Sequence, residues 1–502
     1  MSSLKILLAA LVIAIGFIAT PHLVKAQTNS PTNMTATEAA AAISAGDTTS
    51  EALVQALLER TGHNGHLNAF ILLDADDVLE QARAADAKVR AGGELGALHG
   101  VPLVIKDNID IAGLPTTAAT PALLENIPTE NASIIDALIT AGAIIMGKTN
   151  MHELALGSTG TGSAFGAVLN PYNPLIFPGG SSAGTAAAVA ARLAPAGLGS
   201  DTAGSIRIPA AMTGLYGFRP SVGRYSQEGI VPLAHSRDTA GPMARSMADI
   251  ILLDSVITSE TASVTPADLA GLRLGVPRAF FYDMLHGETA RLTEAALAKL
   301  EAAGVTLVEV DILNVGELDE SIFFPMAFYE MPRDLAAYLE GTGISFEEVA
   351  AEIASPDVKG LVGFVMADGG VPEEAYNFAV GQQALLQQAY QTYFEDNDLD
   401  AVIFPTTPLP PRPVEGSLEA TSPAGPLVDM DGVPVPTLFY SRNTNIANSA
   451  NLPGLTLPIG LTPDGLPVGI EIDGLTGSDR ELLAIGLALE SVFGQVPAPV
   501  LP

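Results

Sequence analysis

From Gly179 to Pro209 the chain reads GGSSAGTAAAVAARLAPAGLGSDTAGSIRIP: a glycine-serine turn, an alanine-rich run, then a second glycine-serine turn. Few folds can use so long a stretch of small side chains, because it is stable only where backbones pack closely. Thr185 to Ala196 predicts a buried helix of that kind; about a dozen residues with Arg192 among them are too few to cross a bilayer. Both turns carry serines, Ser181 and Ser182 first and Ser205 second, in settings where backbone N–H groups can approach a bound group.

Upstream, GVPLVIKDNID puts Lys106 directly after the apolar run Val101–Ile105, which reads as a buried strand. A serine hydroxyl is a weak nucleophile at neutral pH and needs a base, usually histidine. Of seven histidines only His235 and His286 follow the serine turns, and neither sits in a glycine-rich or strand-end setting. A lysine at a strand end can take that part, since burial disfavours its charged form and lowers its pKa. Such an amine seldom reaches the nucleophile directly, which makes Ser181 a candidate relay. The run Ser200-Asp201-Thr202-Ala203-Gly204-Ser205 is small enough for consecutive N–H groups to point at one oxygen. Together these features imply acyl transfer.

The blocks GGSS-x-G and S-D-T-x-G-S-I-R-x-P-A, with G-V-P-L-x-I-K-D upstream, resemble the amidase signature family of serine hydrolases. The likeness runs from about 35 to 495, through AGLPTTAATPAL, AGAIIMGKTNMHELALGSTG and NLPGLTLPIGLTPDGLPVGIEI. It implies an α/β fold with a central mixed β-sheet covered by helices on both faces. It also implies Ser205 as nucleophile, Ser181 as bridging serine after a cis peptide, and Lys106 as base. The backbone of Thr202, Ala203, Gly204 and Ser205 would form the oxyanion hole. Ser182, Asp107, Asp201 and Arg207 are expected around this group, the last three orienting loops by hydrogen bonds and charge pairing. No metal and no cofactor is expected. Two positions depart from the usual pattern: Ala183 and Ala203 stand where the family commonly has glycine. Alanine tolerates positive φ poorly, so such a conformation at Ala203 would strain the turn by about 1 kcal/mol or more.

Within the family, TNMHELALG, VGRYSQEGI and HSRDTAGPMARS are most similar to indoleacetamide and mandelamide hydrolases. The resemblance implies a small aryl or aliphatic carboxamide cleaved to carboxylate plus ammonia or amine. Anilides, carbamates, esters and peptide C-terminal amides suit the same three side chains. Remoter alternatives are the amidase subunit of a tRNA-dependent amidotransferase and a periplasmic binding protein.

Other motifs compete for the same residues. Gly180 to Gly184 matches the G-x-S-x-G nucleophile elbow with Ser182 as nucleophile, but that motif needs a strand before it. Asn170-Pro171-Tyr172-Asn173-Pro174 is turn-rich instead. Gly179 to Thr185 imitates a phosphate loop without its lysine. His152-Glu153 opens a zinc-protease pattern whose second histidine would fall at Leu156, so a structural role is expected.

Apolar runs at Val101–Ile105, Ala143–Met146 and Leu193–Leu198 alternate with helical stretches, as an α/β core requires. A single domain is expected over 35–495, after a disordered linker at 27–34. The segment 310–440 resembles the family least. Its aromatic run Phe323–Tyr329 reads equally as core or as pocket, and Pro405–Pro413, with the Gly/Pro-rich stretch through Pro436, reads as surface loop.

Residues 1–26 read as a signal peptide: Lys5, an apolar run from Ile6 to Thr20, Pro21, and Val24-Lys25-Ala26 as a cleavage pattern. The run spans about 22 Å as a helix, short of roughly 30 Å of hydrocarbon, although a retained anchor is the alternative. Cysteine is absent, which excludes disulfides, thiolate metal sites and a lipoprotein anchor. A periplasmic or secreted location is expected. Removing Lys5 and Lys25 takes the formal charge from −33 to −35, a field that repels nucleic acid and anionic membranes. The expected partner is a small amide, with no nucleic acid and no stable membrane association after cleavage; a monomer or homodimer is expected.

Overall fold

Runs of apolar residues unbroken by polar ones form strands only where both faces are covered. The computed structural model describes residues 30–413, 421–422 and 425–501; the expected signal segment 1–26 lies outside them. In chain order the strands are β1 Phe70–Leu72, β2 Pro102–Lys106, β3 Ile144–Thr149, β4 Ala196–Asp201, β5 Tyr216–Arg219, β6 Thr239–Ala244 and β7 Arg273–Gly275. They continue with β8 Thr306–Val308, β9 Ala401–Pro405, β10 Thr421–Ser422, β11 Gly425–Met430, β12 Val433–Pro436, β13 Gly454–Leu461 and β14 Pro467–Asp473. Among the described residues eleven build one sheet in the order β1-β3-β2-β4-β6-β5-β13-β14-β9-β7-β8. The sheet is mixed, with helices on both sides, as expected.

β2 runs parallel to β3 and to β4, with Leu103 opposite Ile145 and Val104 opposite Gly197. The carboxyl ends of these three strands therefore emerge at one edge, carrying Lys106, Thr149 and Asp201. β6 returns antiparallel to β4 and places Thr239 opposite Asp201. In open α/β sheets that edge is where ligands bind.

The alanine run packs as its composition requires. The helix spans Ala183–Ala190, wholly buried, against β2, β3, β4 and β6. A Cβ on Gly184 would lie 2.4 Å from the carbonyl oxygens of both Ala69 and Asn150, so only glycine fits there. Ala183 is accommodated because Gly160 faces it: a Cβ on Gly160 would lie 2.3 Å from that of Ala183. The helix is shorter than the predicted Thr185–Ala196. Arg192 adopts φ 59° and Leu193 N–H closes onto Ala188 O at 2.8 Å, reversing the chain so that Ala196 already starts β4.

Three further expectations are corrected. Pro31–Asn33, placed in a disordered linker, forms a 3-10 turn with Thr32 buried. The proline-rich run after β9 is not surface loop: Thr406 to Leu409 are buried, and Pro410 O accepts from Tyr440 Oη at 2.9 Å. The stretch to Pro436 contains the hairpin β11–β12, whose Val428, Met430 and Val435 pack with Phe177, Leu409 and Tyr440.

The region 310–440 supplies helices Val315–Tyr338, Phe346–Glu352, Pro356–Met366 and Glu373–Asn397. The first carries the aromatic run over the carboxyl edge of the sheet.

Gly184→Ala is expected to destabilise the protein by about 1–3 kcal/mol, because the added methyl overpacks a site walled by backbone that cannot yield. A thermal unfolding midpoint unchanged from that of the parent would contradict this packing.

Candidate active site

Lys106 ends β2 with its side chain fully buried. Its Nζ donates to Ser181 Oγ at 2.7 Å, to Ser200 Oγ at 2.8 Å and to Ser200 O at 3.4 Å. Burial lowers its pKa to about 7 against the opposing pull of Asp201 and Asp238. Ser181 is likewise fully buried, and the Gly180–Ser181 peptide is cis.

Ser182 ties the two serine turns together. Its N–H donates to Ser205 O at 3.2 Å, its hydroxyl donates to Ser200 O at 3.2 Å, and Ser200 N–H donates back to it at 3.3 Å. Fully buried, with its oxygen occupied and no strand before it, Ser182 lacks every property of an elbow nucleophile. Of Ser181, Ser182 and Ser205, it is Ser205, 7% exposed, that lines a cavity.

The loop from Asp201 to Ser205 is built around one carboxylate. Asp201 accepts from Gly204 N–H at 2.8 Å, Ile206 N–H at 3.1 Å, Asn448 Nδ2 at 2.9 Å, and Arg207 through Nε and Nη2 at 3.1 and 3.0 Å. Burial alone would raise its pKa, but Arg207 and Arg219 outweigh it and hold the carboxyl below the usual range. Arg207 also binds Glu471 and, at 2.6 Å, Asn448 Oδ1. Behind it Asp473 is pushed well above the usual carboxylate range by burial and by Glu471.

The four N–H groups expected to form the oxyanion hole are not alike in this arrangement. Gly204 N–H is committed to Asp201, whereas among the described residues nothing accepts from the N–H of Thr202, Ala203 or Ser205. Positive φ falls on Gly204, at 114°, so Ala203 carries no φ strain. A Cβ on Gly204 would lie 2.0 Å from Thr444 Oγ1, which itself donates to Ala203 O at 2.8 Å.

Asp107 stands apart from these serines. It pairs with Lys148 at 3.0 Å and accepts from Thr117 N–H at 3.0 Å and from the Thr117 hydroxyl. It thereby fixes the loop whose Ala118 O accepts from Leu154 N–H. His152 and Glu153 are structural, as expected: His152 Nε2 meets Asp357 at 3.1 Å, and Glu153 accepts from the N–H groups of Ala354 and Ser355.

Sequence reasoning missed Ser200, Asn108 and Asp238. Asn108 Nδ2 donates to Ser200 Oγ at 3.0 Å, completing the surroundings of Lys106. Asp238 accepts from the Thr202 hydroxyl and from Leu233 and Ala234 N–H at 2.7 and 2.9 Å; burial raises its pKa to about 6. Ser200 was legible as a second hydroxyl on the strand that ends at Asp201, but the Asp238 contact depends on β6 pairing with β4.

The family model described as Amidase matches residues 52–483. The indoleacetamide hydrolase of Agrobacterium vitis is 43% identical over 445 residues, covering 88% of this chain and 93% of that protein. The mandelamide hydrolase of Pseudomonas putida is 42% identical over 93% of this chain and 92% of its own. A crystal structure of an amidase superposes with a TM-score of 0.82 at 33% identity, over 92% of this chain and all of that one. The native peptide amidase of Stenotrophomonas maltophilia gives 0.78 at 29%, over 93% and 99%. The chain belongs to the amidase family. It is an amide-hydrolysing enzyme.

In this amidase, Ser205 opens into a cavity walled by Leu156, Ile208, Leu233, Phe323, Phe328 and Leu361. The aromatic run is thus core and pocket at once: Phe328 is 2% exposed yet lines the cavity beside Phe323. Apart from that of Ser205, the hydroxyls in its wall are already spent, Ser158 on Thr437 O at 2.6 Å, Ser441 on Leu438 O at 2.7 Å and Thr202 on Asp238.

Only the uncharged amine of Lys106 accepts a proton, and its folded pKa is depressed. With Lys106 as the base, activity is expected above about pH 7 and is expected to be lost as pH falls through it. A profile of kcat/KM against pH should rise with unit slope and level off on the alkaline side; a flat profile from pH 5 to 8 would remove Lys106 as the base.

Proposed function

We propose that this enzyme is an exported amidase that cleaves aryl-acetic carboxamides to carboxylate and ammonia through an acyl-enzyme. The observation that carries the substrate class is the cavity at Ser205, apolar on nearly every side and without a charged side chain in its wall. An acyl group there gains by burying apolar and aromatic surface and finds no partner for a charge. The named substrates of the indoleacetamide and mandelamide hydrolases, aryl groups one carbon from the carboxamide, suit such a wall.

The chain's own residues supply each step. A neutral Lys106 has two hydrogens and one lone pair. With Ser200 Oγ and O taking the hydrogens, the lone pair is left for the Ser181 hydroxyl. Ser181 in turn draws the proton from Ser205 as its Oγ attacks the carbonyl carbon. The N–H groups of Thr202, Ala203 and Ser205 receive the developing oxyanion, a contribution of about 3–4 kcal/mol for each donor. The proton held by Lys106 returns through Ser181 to the departing nitrogen, and water then opens the acyl-enzyme by the same route. Export rests on residues 1–26: a cationic start, a short apolar run and a small-residue cleavage pattern.

Ser205→Ala is expected to lower kcat by on the order of a thousandfold or more with the fold intact, and Ser182→Ala by about tenfold. Labelling with a fluorophosphonate should modify Ser205; modification at Ser182 would reverse the assignment. Across a panel of primary amides, kcat/KM should favour phenylacetamide, mandelamide and indoleacetamide over acetamide by about a hundredfold, as burial of a ring implies. Equal values for all four would exclude the aryl reading.

A further inference from the structure

Four consecutive N–H groups on the loop after Pro232 are each accepted by a carboxylate. Those of Leu233 and Ala234 donate to Asp238 Oδ2 at 2.7 and 2.9 Å, that of His235 to Asp334 Oδ2 at 2.7 Å, and that of Ser236 to Glu330 Oε2 at 2.9 Å. Asp334 and Glu330 belong to the helix Val315–Tyr338, which also brings Phe323 and Phe328 to the cavity at Ser205. Asp238 N–H closes the loop onto Ala234 O at 2.9 Å. Shifting the loop breaks several charge-assisted bonds together, so Asp238 Oδ2 is fixed and Oδ1 with it.

Oδ1 accepts the Thr202 hydroxyl at 2.5 Å. Among the described residues this is the one hydrogen bond that Thr202 makes, and its N–H is left without an acceptor. The turn is anchored elsewhere by other groups: Asp201 pairs with Arg207, Ala203 O accepts from Thr444 Oγ1 at 2.8 Å, and Gly204 N–H donates to Asp201. Only the bond to Asp238 sets the orientation of Thr202 itself. Thr202, Ala203, Ser205 and Leu233 line the same cavity. A donor contributes to the transition state only if it is aimed beforehand at the place where charge develops, so the group that fixes Thr202 bears on the rate.

We propose that Asp238 is a positioning residue of the oxyanion turn: it holds the Thr202 hydroxyl so that the Thr202 N–H keeps its aim at the oxygen of the tetrahedral intermediate. Asp238 touches no reacting atom and acts through Thr202. Through the loop it also ties the aim of that donor to the helix that walls the acyl cavity. Asparagine cannot replace it. A carboxylate accepts on both oxygens and an amide on one, so either the loop N–H groups or the Thr202 hydroxyl would meet an NH2 group in place of an acceptor. This rests on the acyl-enzyme reading above, in which the Thr202 N–H receives the oxyanion.

The test measures kcat and KM for the primary amide that the parent cleaves best, and the rate at which a fluorophosphonate modifies Ser205, since its phosphoryl oxygen takes the place of the oxyanion. Asp238 also pulls on Lys106, so all variants are compared about two pH units above the point at which Lys106 loses its proton, where the base is uncharged in each. Thr202→Val keeps the shape and removes the hydroxyl; it should lower kcat by about 10- to 100-fold with KM within about threefold, and slow the modification of Ser205 by a similar factor. Thr202→Ser, which keeps the hydroxyl, should stay within about threefold of the parent in all three measurements. Asp238→Asn should lose at least as much as Thr202→Val, and the double variant no more than Asp238→Asn alone, because both changes break one bond. A kcat for Thr202→Val within about twofold of the parent, an equal loss in Thr202→Ser, a change confined to KM, or losses that multiply in the double variant would each overturn the assignment. Should Asp238→Asn fail to fold, the two threonine variants decide the matter by themselves. Absence of modification at Ser205 in the parent would instead overturn the acyl-enzyme reading.

Discussion

An amine removed from water is the constraint on which this enzyme depends. Lys106 emerges at the carboxyl end of a strand buried on both faces, where no solvent can stabilise a charge. Desolvation holds its pKa at about 7 even with Asp201 and Asp238 pulling the other way. A lysine on the surface would be protonated at every physiological pH and useless as a base. The strand end also sets where the two serines must be, because Ser181 and Ser200 are the hydroxyls that replace the lost water around Nζ.

Around that amine the enzyme is held by buried charge rather than by apolar packing alone. Arg207 joins Asp201, Glu471 and Asn448, linking the loop after β4 to β14 and to the helix Asn445–Ala450. Breaking such a pair on one side leaves an uncompensated charge and costs about 3–5 kcal/mol, so the loop has one geometry. The carboxylate of Asp201 spends the Gly204 N–H in achieving this. The result is a turn in which Gly204 N–H is bonded to Asp201 and the N–H groups of Thr202, Ala203 and Ser205 are left without an acceptor among the described residues.

The character of the cavity at Ser205 follows from how the polar groups in its wall are spent. On the acyl side, hydroxyls satisfied by backbone carbonyls leave only apolar and aromatic surface for the substrate. Asp238 holds Thr202 and Leu233 together, and both residues line that cavity.

Local pattern was enough for the mixed α/β architecture and the buried strand before Lys106, because each rests on residue size and period within a few positions of chain; the contact of Lys106 with Ser181 was legible only through the resemblance of the motifs that carry them. The boundaries of the alanine helix were not legible: the reversal at Arg192 comes from how closely Gly184 lets the helix approach Ala69 and Asn150. Nor were the burial of the proline-rich run after β9 and the hairpin β11–β12, since both depend on covering Phe177 and Tyr440 from elsewhere in the chain. The placement of Ser200, Asn108 and Asp238 around the amine, the commitment of Gly204 N–H to Asp201, and the apolar wall of the cavity at Ser205 were decided only in three dimensions. Sequence specifies which groups exist and which segments can bury them; distance, desolvation and the pairing of every buried polar atom arise only when strands far apart in the chain are laid side by side.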